Sequence, residues 1–382
     1  MKKQTYKAYF SLGSNLGDRA LMLQKALFLM ADRMGAITAI SKVYQAAAWG
    51  FESEDFLNCC LSIETTLAPL ELMDCIVEIE SFLGRKRQLN TGYEARSIDI
   101  DLLLYGALVI EEPTLRVPHQ HIEKRAFVLR PLADIAAQIP HPISGLTVSS
   151  LLDACKDTTA LKETNIELKL AVHLLDSGLG FIAIEGNIGA GKTTLSSMIS
   201  NTFNAKLILE GFADNPFLPK FYEDKARYAF PLEMSFLAER YQQYSESTSQ
   251  LDLFKNFMVS DYDIYKSLIF AQITLSTEEY TLYRKLFGFM YKDAKIPDAY
   301  IYLYQNTDRL LENIAKRGRD YEKNIDAAYL EKINQGYLDF IKTHHQNQHL
   351  ILDISDRDFV NNPEDYQWIL NKIALFGFLK TT

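Results

Sequence analysis

Gly186-Asn187-Ile188-Gly189-Ala190-Gly191-Lys192-Thr193-Thr194 sets how half of this chain is read. An apolar run, Phe181-Ile182-Ala183-Ile184, precedes it and has the character of a buried parallel strand. Leu195-Ser196-Ser197-Met198-Ile199 follows at helical spacing. In that strand–loop–helix setting the pattern G-x-x-x-x-G-K-T forms a phosphate cradle. Its glycines let successive backbone N–H groups turn inward, and the next helix N-terminus adds its dipole. Lys192 then reaches the β- and γ-phosphates, and the Thr193 hydroxyl can ligate Mg2+. The stretch from Gly186 to Thr194 therefore reads as a nucleoside triphosphate site.

The rest of the chain bounds what surrounds that site. A length of 382 residues exceeds what one core ordinarily fills, so two domains are expected. A composition 48% apolar and 12% aromatic excludes a disordered chain. The formal net charge of −9 argues against sequence-independent binding to nucleic acid or an anionic membrane, which needs clustered positive charge. Cys59, Cys60, Cys75 and Cys155 show neither C-x-x-C nor secreted-scaffold spacing, which fits reduced thiols. Met1-Lys2-Lys3-Gln4 leads into no uninterrupted apolar segment, and no run approaches a membrane-spanning length. The expectation is a cytoplasmic protein.

In the first half, Lys7 to Leu12 reads as a strand and Asp18 to Met34 as an amphipathic helix. Two β-rich runs follow, Ala39 to Ala48 and Phe56 to Thr65, and then a helix opened by Pro69 and ended by Gly84. This mixed order suggests an α+β layer. The chemically loaded segment is Arg96-Ser97-Ile98-Asp99-Ile100-Asp101-Leu102. On a strand, Asp99 and Asp101 project from one face. Two adjacent carboxylates repel unless a cation sits between them or one is protonated. Hard oxygen ligands of this kind suit Mg2+ that also binds substrate phosphates. Arg85, Lys86, Arg87, Arg96, His119 and Arg125 nearby supply the cations that a metal–polyphosphate site needs.

Five ordered motifs then resemble one family. They are Phe10-Ser11-Leu12-Gly13-Ser14-Asn15-Leu16-Gly17-Asp18, Phe56-Leu57-Asn58, Gly84 to Arg87, Arg96 to Leu102, and Val117-Pro118-His119 with Arg125-Ala126-Phe127. Over about residues 6–154 the chain is similar to 6-hydroxymethyl-7,8-dihydropterin pyrophosphokinase of folate synthesis. The resemblance implies a ferredoxin-like α+β fold and transfer of the ATP β,γ-pyrophosphoryl unit to the pterin alcohol. It also implies that Asp99 and Asp101 hold two Mg2+, and that Arg85, Arg87, Arg96, His119 and Arg125 face the ATP phosphates. By the same resemblance Asn58 hydrogen-bonds to the pterin and Phe127 stacks on it. Ala46 and Phe56 depart from residues common in that family.

Residues 156–179 are more polar and break the pattern; Glu167 to Leu175 is expected as a short helix. Domains are placed at 1–158 and 179–382, joined by a linker over 159–178. Beyond the phosphate loop, Lys206 to Leu209 reads as a strand ending at Glu210, where ligands gather in parallel sheets. Asp214-Asn215-Pro216-Phe217-Leu218-Pro219-Lys220-Phe221-Tyr222 follows. Glu233, Phe236 and Arg240 then share one helix face able to read a base edge. Asp261 ends another strand, and Lys316-Arg317-Gly318-Arg319 reads as a lid between helices.

In this order, across about residues 180–355, these motifs are similar to the deoxynucleoside kinase family. The resemblance implies a P-loop three-layer α/β fold with a parallel sheet, a homodimer built through helices, and ATP γ-phosphoryl transfer to a nucleoside 5′-hydroxyl. It casts Glu210 as general base, Tyr222 and Glu331 as holders of the sugar 3′-hydroxyl, Glu233 and Arg240 as base-recognition residues, and Asp261 as an aid to Mg2+. Lys192, Arg317 and Arg319 would meet the phosphates. The triplet Asp261-Tyr262-Asp263 lacks the family's arginine, Glu233 stands where many relatives carry Gln, and Ser267 where some carry Asp. A carboxylate prefers an edge that offers an amino group, which favours deoxyadenosine over thymidine. The expectation is a bifunctional enzyme with two ATP·Mg2+ sites acting on small molecules. The alternatives for the second half are a nucleoside-monophosphate kinase and a nucleotide-binding module without turnover.

Overall fold

Tyr6–Ser14, buried without a break from Ala8 to Ser14, starts the first sheet. This strand, β1, leads into α1 (Arg19–Arg33), capped by Asp18, which accepts the Leu21 amide at 3.0 Å. β2 (Ala36–Ile40), β3 (Tyr44–Ala46), β4 (Phe56–Thr65), α2 (Pro69–Phe82) and β5 (Asp99–Tyr105) follow. A ribbon of β6 (Ile110–Glu112) and β7 (Leu115–Val117) precedes α3 (Ala126–Ala136), α4 (Val148–Ala154) and β8 (Lys162–Glu163). The sheet is antiparallel in the order β5-β1-β4-β3-β8, with β2 also paired to β4. Interleaved β1–α1–β2 and β4–α2–β5 passes give the ferredoxin-like α+β arrangement. The computed structural model describes residues 4–48, 53–85, 95–211, 215–248, 253–319, 322, 325–344 and 348–380. Its chain forms two compact units, Met1–Ala171 and Val172–Thr382.

Two local expectations are corrected. The run Ala39–Ala48 is broken at Ser41, whose hydroxyl accepts the Cys60 amide at 2.9 Å in the place of a ladder bond. Glu167–Leu175 is not helical; a 3-10 turn covers only Leu174–Asp176. The backbone of Lys169 bonds instead to the Gln24 side chain, its amide to Oε1 at 2.7 Å and its carbonyl to Nε2 at 2.8 Å.

The second unit is a parallel sheet. β9 (Phe181–Gly186), α5 (Lys192–Phe203), β10 (Lys206–Ile208), α6 (Leu218–Glu223), α7 (Lys225–Thr248) and β11 (Met258–Ser260) come first. α8 (Lys266–Thr274), α9 (Thr277–Met290), β12 (Ala299–Tyr304), α10 (Thr307–Arg317), α11 (Ala327–His344), β13 (His349–Asp353) and α12 (Pro363–Lys380) complete it. Every pairing in the order β10-β11-β9-β12-β13 is parallel. Alternation along the strands sorts the helices into two layers. Ile182, Ile184, Ile301 and Leu303 pack with Leu195 and Ile199 of α5, Leu310 of α10 and Ile369 of α12. Tyr300 and Tyr302 pack on the other side with Ile269 of α8 and Ile333 and Tyr337 of α11. Burial on both sides explains why β9 reads as an uninterrupted apolar run. The order reverses at β9, and the loop following it lies at the switch point where such sheets bind ligands.

Candidate active sites

In the first unit, strand register assembles the site. Gly13 of β1 lies opposite Asn58 of β4 on one side and Asp99 of β5 on the other, and Ser11 lies opposite Asp101. The period of two therefore puts Asn58, Asp99 and Asp101 on one face. A Cβ at Gly13 would stand 3.1 Å from Asn58 Oδ1, which keeps that crossing bare. Asp99 is held at both oxygens, by Arg85 Nη1 at 2.5 Å and Arg96 Nη1 at 2.8 Å. Arg85 also bonds to Glu80 Oε1, and the same oxygen accepts the Ile100 amide at 2.9 Å, tying α2 to the strand between the two acids. Arg96 is latched to the turn after β1, donating its amide to Asn15 Oδ1 at 2.7 Å.

Asp101 lies 3.7 Å from Arg125 Nη1. Burial, with Asp99 beside it, pushes the Asp101 carboxyl up to about 7 against the pull of Arg125. His119 donates its amide to Leu103 O at 3.0 Å. Burial and then Arg125 lower its imidazole to about 4, so it is neutral at pH 7. The Arg125 guanidinium lies 5.7 Å from the Phe127 ring centre. These groups line a cavity of about 260 Å³ that also includes Phe56 and His121. Asn58 Nδ2 is buried at this cavity with no hydrogen-bond partner among the described residues, a donor that a bound heterocycle would satisfy. Arg87 falls outside the described residues. Among the described residues no three His, Cys, Asp or Glu side chains gather around one point. A cation here would have the two aspartates and substrate oxygens as ligands, an arrangement suited to Mg2+.

In the second unit the loop Gly186–Thr194 opens at the end of β9. Gly191 adopts φ +86°, and a Cβ there would meet the Phe359 ring at 3.0 Å, so only glycine fits. Lys192 Nζ donates to Gly186 O at 2.9 Å and Asn187 O at 2.8 Å. Burial lowers its ammonium to about 8, and Lys266 pushes the same way. Thr193 Oγ1 donates to Asp261 Oδ2 at 2.5 Å, while Asp261 Oδ1 accepts the Glu210 amide at 2.7 Å. Asp261 thus joins the phosphate loop to the end of β10.

Glu210 is clamped from two directions. Arg240 donates Nε and Nη2 to Oε1 at 2.8 and 2.7 Å, and Lys266 Nζ approaches Oε2 at 2.5 Å. Burial alone would raise the Glu210 carboxyl, but Lys266 and Arg240 override it and hold it at about 2. Glu233, on the same helix as Arg240, accepts from Thr274 Oγ1 at 3.0 Å. Its Oε2 is buried with no hydrogen-bond partner among the described residues, and burial pushes the carboxyl up to about 7 against Arg240. Two cavities meet at this cluster. The larger, about 1060 Å³, runs from the phosphate loop to Arg357 and Phe359. The smaller, about 130 Å³, is walled by Tyr222, Glu233, Phe236 and Tyr329. Lys192, Thr193, Glu210, Asp261, Arg317 and Arg319 line both. A phosphate-bearing ligand in one and a small planar ligand in the other would meet beside Glu210.

The structure does not bring Glu331 to this site. It is exposed on α11 and lines neither cavity, because it stands two residues past Tyr329, about 200° around the helix. Glu322 does line the small cavity, beside Glu210, Glu233 and Asp261; it is buried and bonded to Arg317 Nη2 at 2.6 Å and Arg319 Nη1 at 3.4 Å. Its spacing of three from Arg319 was the sequence signal. Tyr262 lines neither cavity; it is buried edge-on to Tyr244, ring centres 5.9 Å apart. Sequence reasoning also missed Lys266 and the turn Arg357–Asn361, neither of which stands in a motif with fixed local spacing.

Comparison with known proteins agrees with both halves. Residues 182–376 match the family described as deoxynucleoside kinase, and residues 9–137 the family described as 7,8-dihydro-6-hydroxymethylpterin-pyrophosphokinase. A deoxyguanosine kinase of Bacillus subtilis strain 168 is 39% identical over 193 residues, 50% of this chain and 93% of that protein. A 2-amino-4-hydroxy-6-hydroxymethyldihydropteridine pyrophosphokinase of Aquifex aeolicus is 43% identical over 136 residues, 35% of this chain and 83% of that protein. A solved deoxyadenosine kinase from M. mycoides with bound dATP is 25% identical with a TM-score of 0.44, over 50% of this chain and 98% of that one. Among the described residues no helix is long and apolar enough to cross a membrane. With the acid–arginine face in one unit and the glycine cradle in the other, the chain belongs to two families at once: it joins a hydroxymethyldihydropterin pyrophosphokinase to a deoxynucleoside kinase.

Proposed function

We propose that the second unit phosphorylates a purine 2′-deoxynucleoside, with deoxyadenosine as the first expectation, and that the first unit pyrophosphorylates 6-hydroxymethyl-7,8-dihydropterin. One observation carries the nucleoside reading. The two cavities share Glu210 together with the cations Lys192, Arg317 and Arg319. The 5′-hydroxyl oxygen attacks the γ-phosphorus, the new O–P bond forms, and the bond to the bridging oxygen breaks, with ADP keeping the electron pair. Glu210 orients that hydroxyl and receives its proton. Thr193 and Asp261 would hold Mg2+, which supplies charge neutralisation for the phosphates. Tyr222 and Glu322 hold the sugar, in place of the pair with Glu331.

In the first unit the hydroxymethyl oxygen attacks the β-phosphorus, the bond from that phosphorus to the α,β-bridging oxygen breaks, AMP keeps the electron pair, and the hydroxyl proton passes to solvent. Arg85, Arg96, Arg125 and neutral His119 bind the phosphate chain, and Asn58 and Phe127 hold the pterin. Asp99 and Asp101 would hold Mg2+.

A monophosphate acceptor fits less well. Lys266 and Arg240, cations deep in the small cavity, are already tied to Glu210. Deoxyguanosine is the second reading, favoured by the name of the 39% identical relative and by the chemistry of Glu233. An ionised Glu233 accepts from guanine N1–H and N2–H; a protonated one donates to adenine N1 and accepts from N6. A panel of nucleosides and monophosphates with ATP tests all of this. A purine deoxynucleoside used fastest supports the proposal, and thymidine or a monophosphate used fastest contradicts it. We further propose a homodimer through α9, where Leu282 and Phe289 are 50% and 82% exposed seven residues apart. Light scattering would show a dimer that Phe289→Glu dissociates, and a monomeric wild type would contradict it.

A further inference from the structure

Lys266 opens α8 with its ammonium buried, 2.5 Å from Glu210 Oε2, both side chains only 8% exposed. An ammonium is costly to bury unless its charge is used. The turn that delivers it is tightly built. Asp261 donates its amide to Ile208 O at 3.1 Å, and the Asp263 amide donates to Glu185 Oε1 at 2.7 Å. Asp263 Oδ1 then accepts the Tyr265 amide at 3.0 Å, and the Lys266 amide donates to Asp263 O at 3.2 Å. Residues 261–266 are thereby pinned to the ends of β9 and β10. Tyr262, within that turn, is spent on the apolar cluster with Tyr244 and Tyr291 and offers the site no charge.

Arg240 reaches only Oε1 of Glu210, so a carboxylate held there alone can pivot about that oxygen. Lys266 holds the other oxygen, and its stem is confined by Phe270, whose ring centre lies 5.6 Å from Nζ. Both side chains line the small cavity beside Lys192. We infer that Lys266 is the positioning residue that aims the Glu210 carboxylate at the acceptor hydroxyl, supplying from the first turn of α8 the fixed cation that position 262 lacks. The inference rests on the nucleoside-kinase reading of this unit.

The test is steady-state kinetics of the full chain with the nucleoside that the wild type uses fastest. Lys266→Met is expected to lower kcat about 100-fold, the scale of losing one preorganised charged contact. The nucleoside KM should stay within about threefold, because Lys266 orients Glu210 and does not bind the base or sugar. Lys266→Arg, which keeps the charge, should recover at least about tenfold of that loss. A kcat for Lys266→Met within threefold of wild type, a loss confined to KM, or an Arg variant as slow as the Met variant would each overturn the inference. If Lys266→Met does not fold, as judged by its thermal transition, Lys266→Gln is put to the same criteria. A wild type inactive on every nucleoside contradicts the kinase reading and the inference with it. An active wild type with an unaffected Lys266→Met contradicts the inference alone.

Discussion

Glu233 is a carboxyl group that the fold holds near its half-protonated point at neutral pH. Burial raises it to about 7, opposed by Arg240 and Lys266 and by the Thr274 hydroxyl, and aided by Glu210. Tyr283 and Tyr329 face it from α9 and α11. This makes the base preference a matter of pH. If guanine is read by the ionised form, kcat/KM for deoxyguanosine rises as pH climbs from about 6 to about 8. If adenine is read by the protonated form, kcat/KM for deoxyadenosine falls over the same interval. Glu233→Gln, a permanent donor–acceptor pair, should flatten the adenine profile and depress deoxyguanosine use; a pH profile unchanged by that substitution would remove Glu233 from base reading. At the same scale, Glu322→Ala should lower nucleoside kcat/KM by about 100-fold or more, the loss of a buried charge-assisted contact. Glu331→Ala should leave it within about twofold. Equal effects of the two substitutions would restore Glu331 to the site.

The phosphate loop and the β5 acid pair are contiguous in sequence, and that is why both were legible there. Glycine spacing fixes the loop, and strand periodicity puts Asp99 and Asp101 on one face before any tertiary contact is known. The antiparallel register that brings Asn58 beside them follows from strand pairing, which no local spacing encodes. Lys266 and the turn Arg357–Asn361 enter through packing: one is delivered by a turn pinned to β9, the other by a loop closing over Gly191. Glu331 shows the same limit, since its helical phase relative to Tyr329 turns it away from the cavity that Tyr329 and Glu322 line. Closure of that loop on the glycines gives an element-scale prediction. Gly191→Ala places a methyl 3.0 Å from the Phe359 ring at a φ of +86°. The backbone strain alone is about 1 kcal/mol or more. ATP KM for nucleoside phosphorylation should rise by about tenfold or more while pterin pyrophosphorylation is unchanged. An unaltered ATP KM would show that the cradle tolerates side chains and is not a tight phosphate site.

Across the whole molecule, each unit carries its own carboxylates, cations and cavity. The first builds them on one face of an antiparallel sheet, the second at the carboxyl ends of parallel strands. Among the described residues, those lining the pyrophosphokinase cavity all come from the first unit and those lining the nucleoside-kinase cavities all from the second. The two activities should therefore be lost one at a time. The most direct measurement is to assay the full chain, as Lys192→Ala and as Asp99→Ala, for AMP released with the pterin alcohol and for ADP released with a purine deoxynucleoside. Lys192→Ala should lose at least about 100-fold in ADP formation and keep AMP formation within about twofold of wild type, with the reverse for Asp99→Ala. A substitution that removes both activities, or neither, would contradict the account.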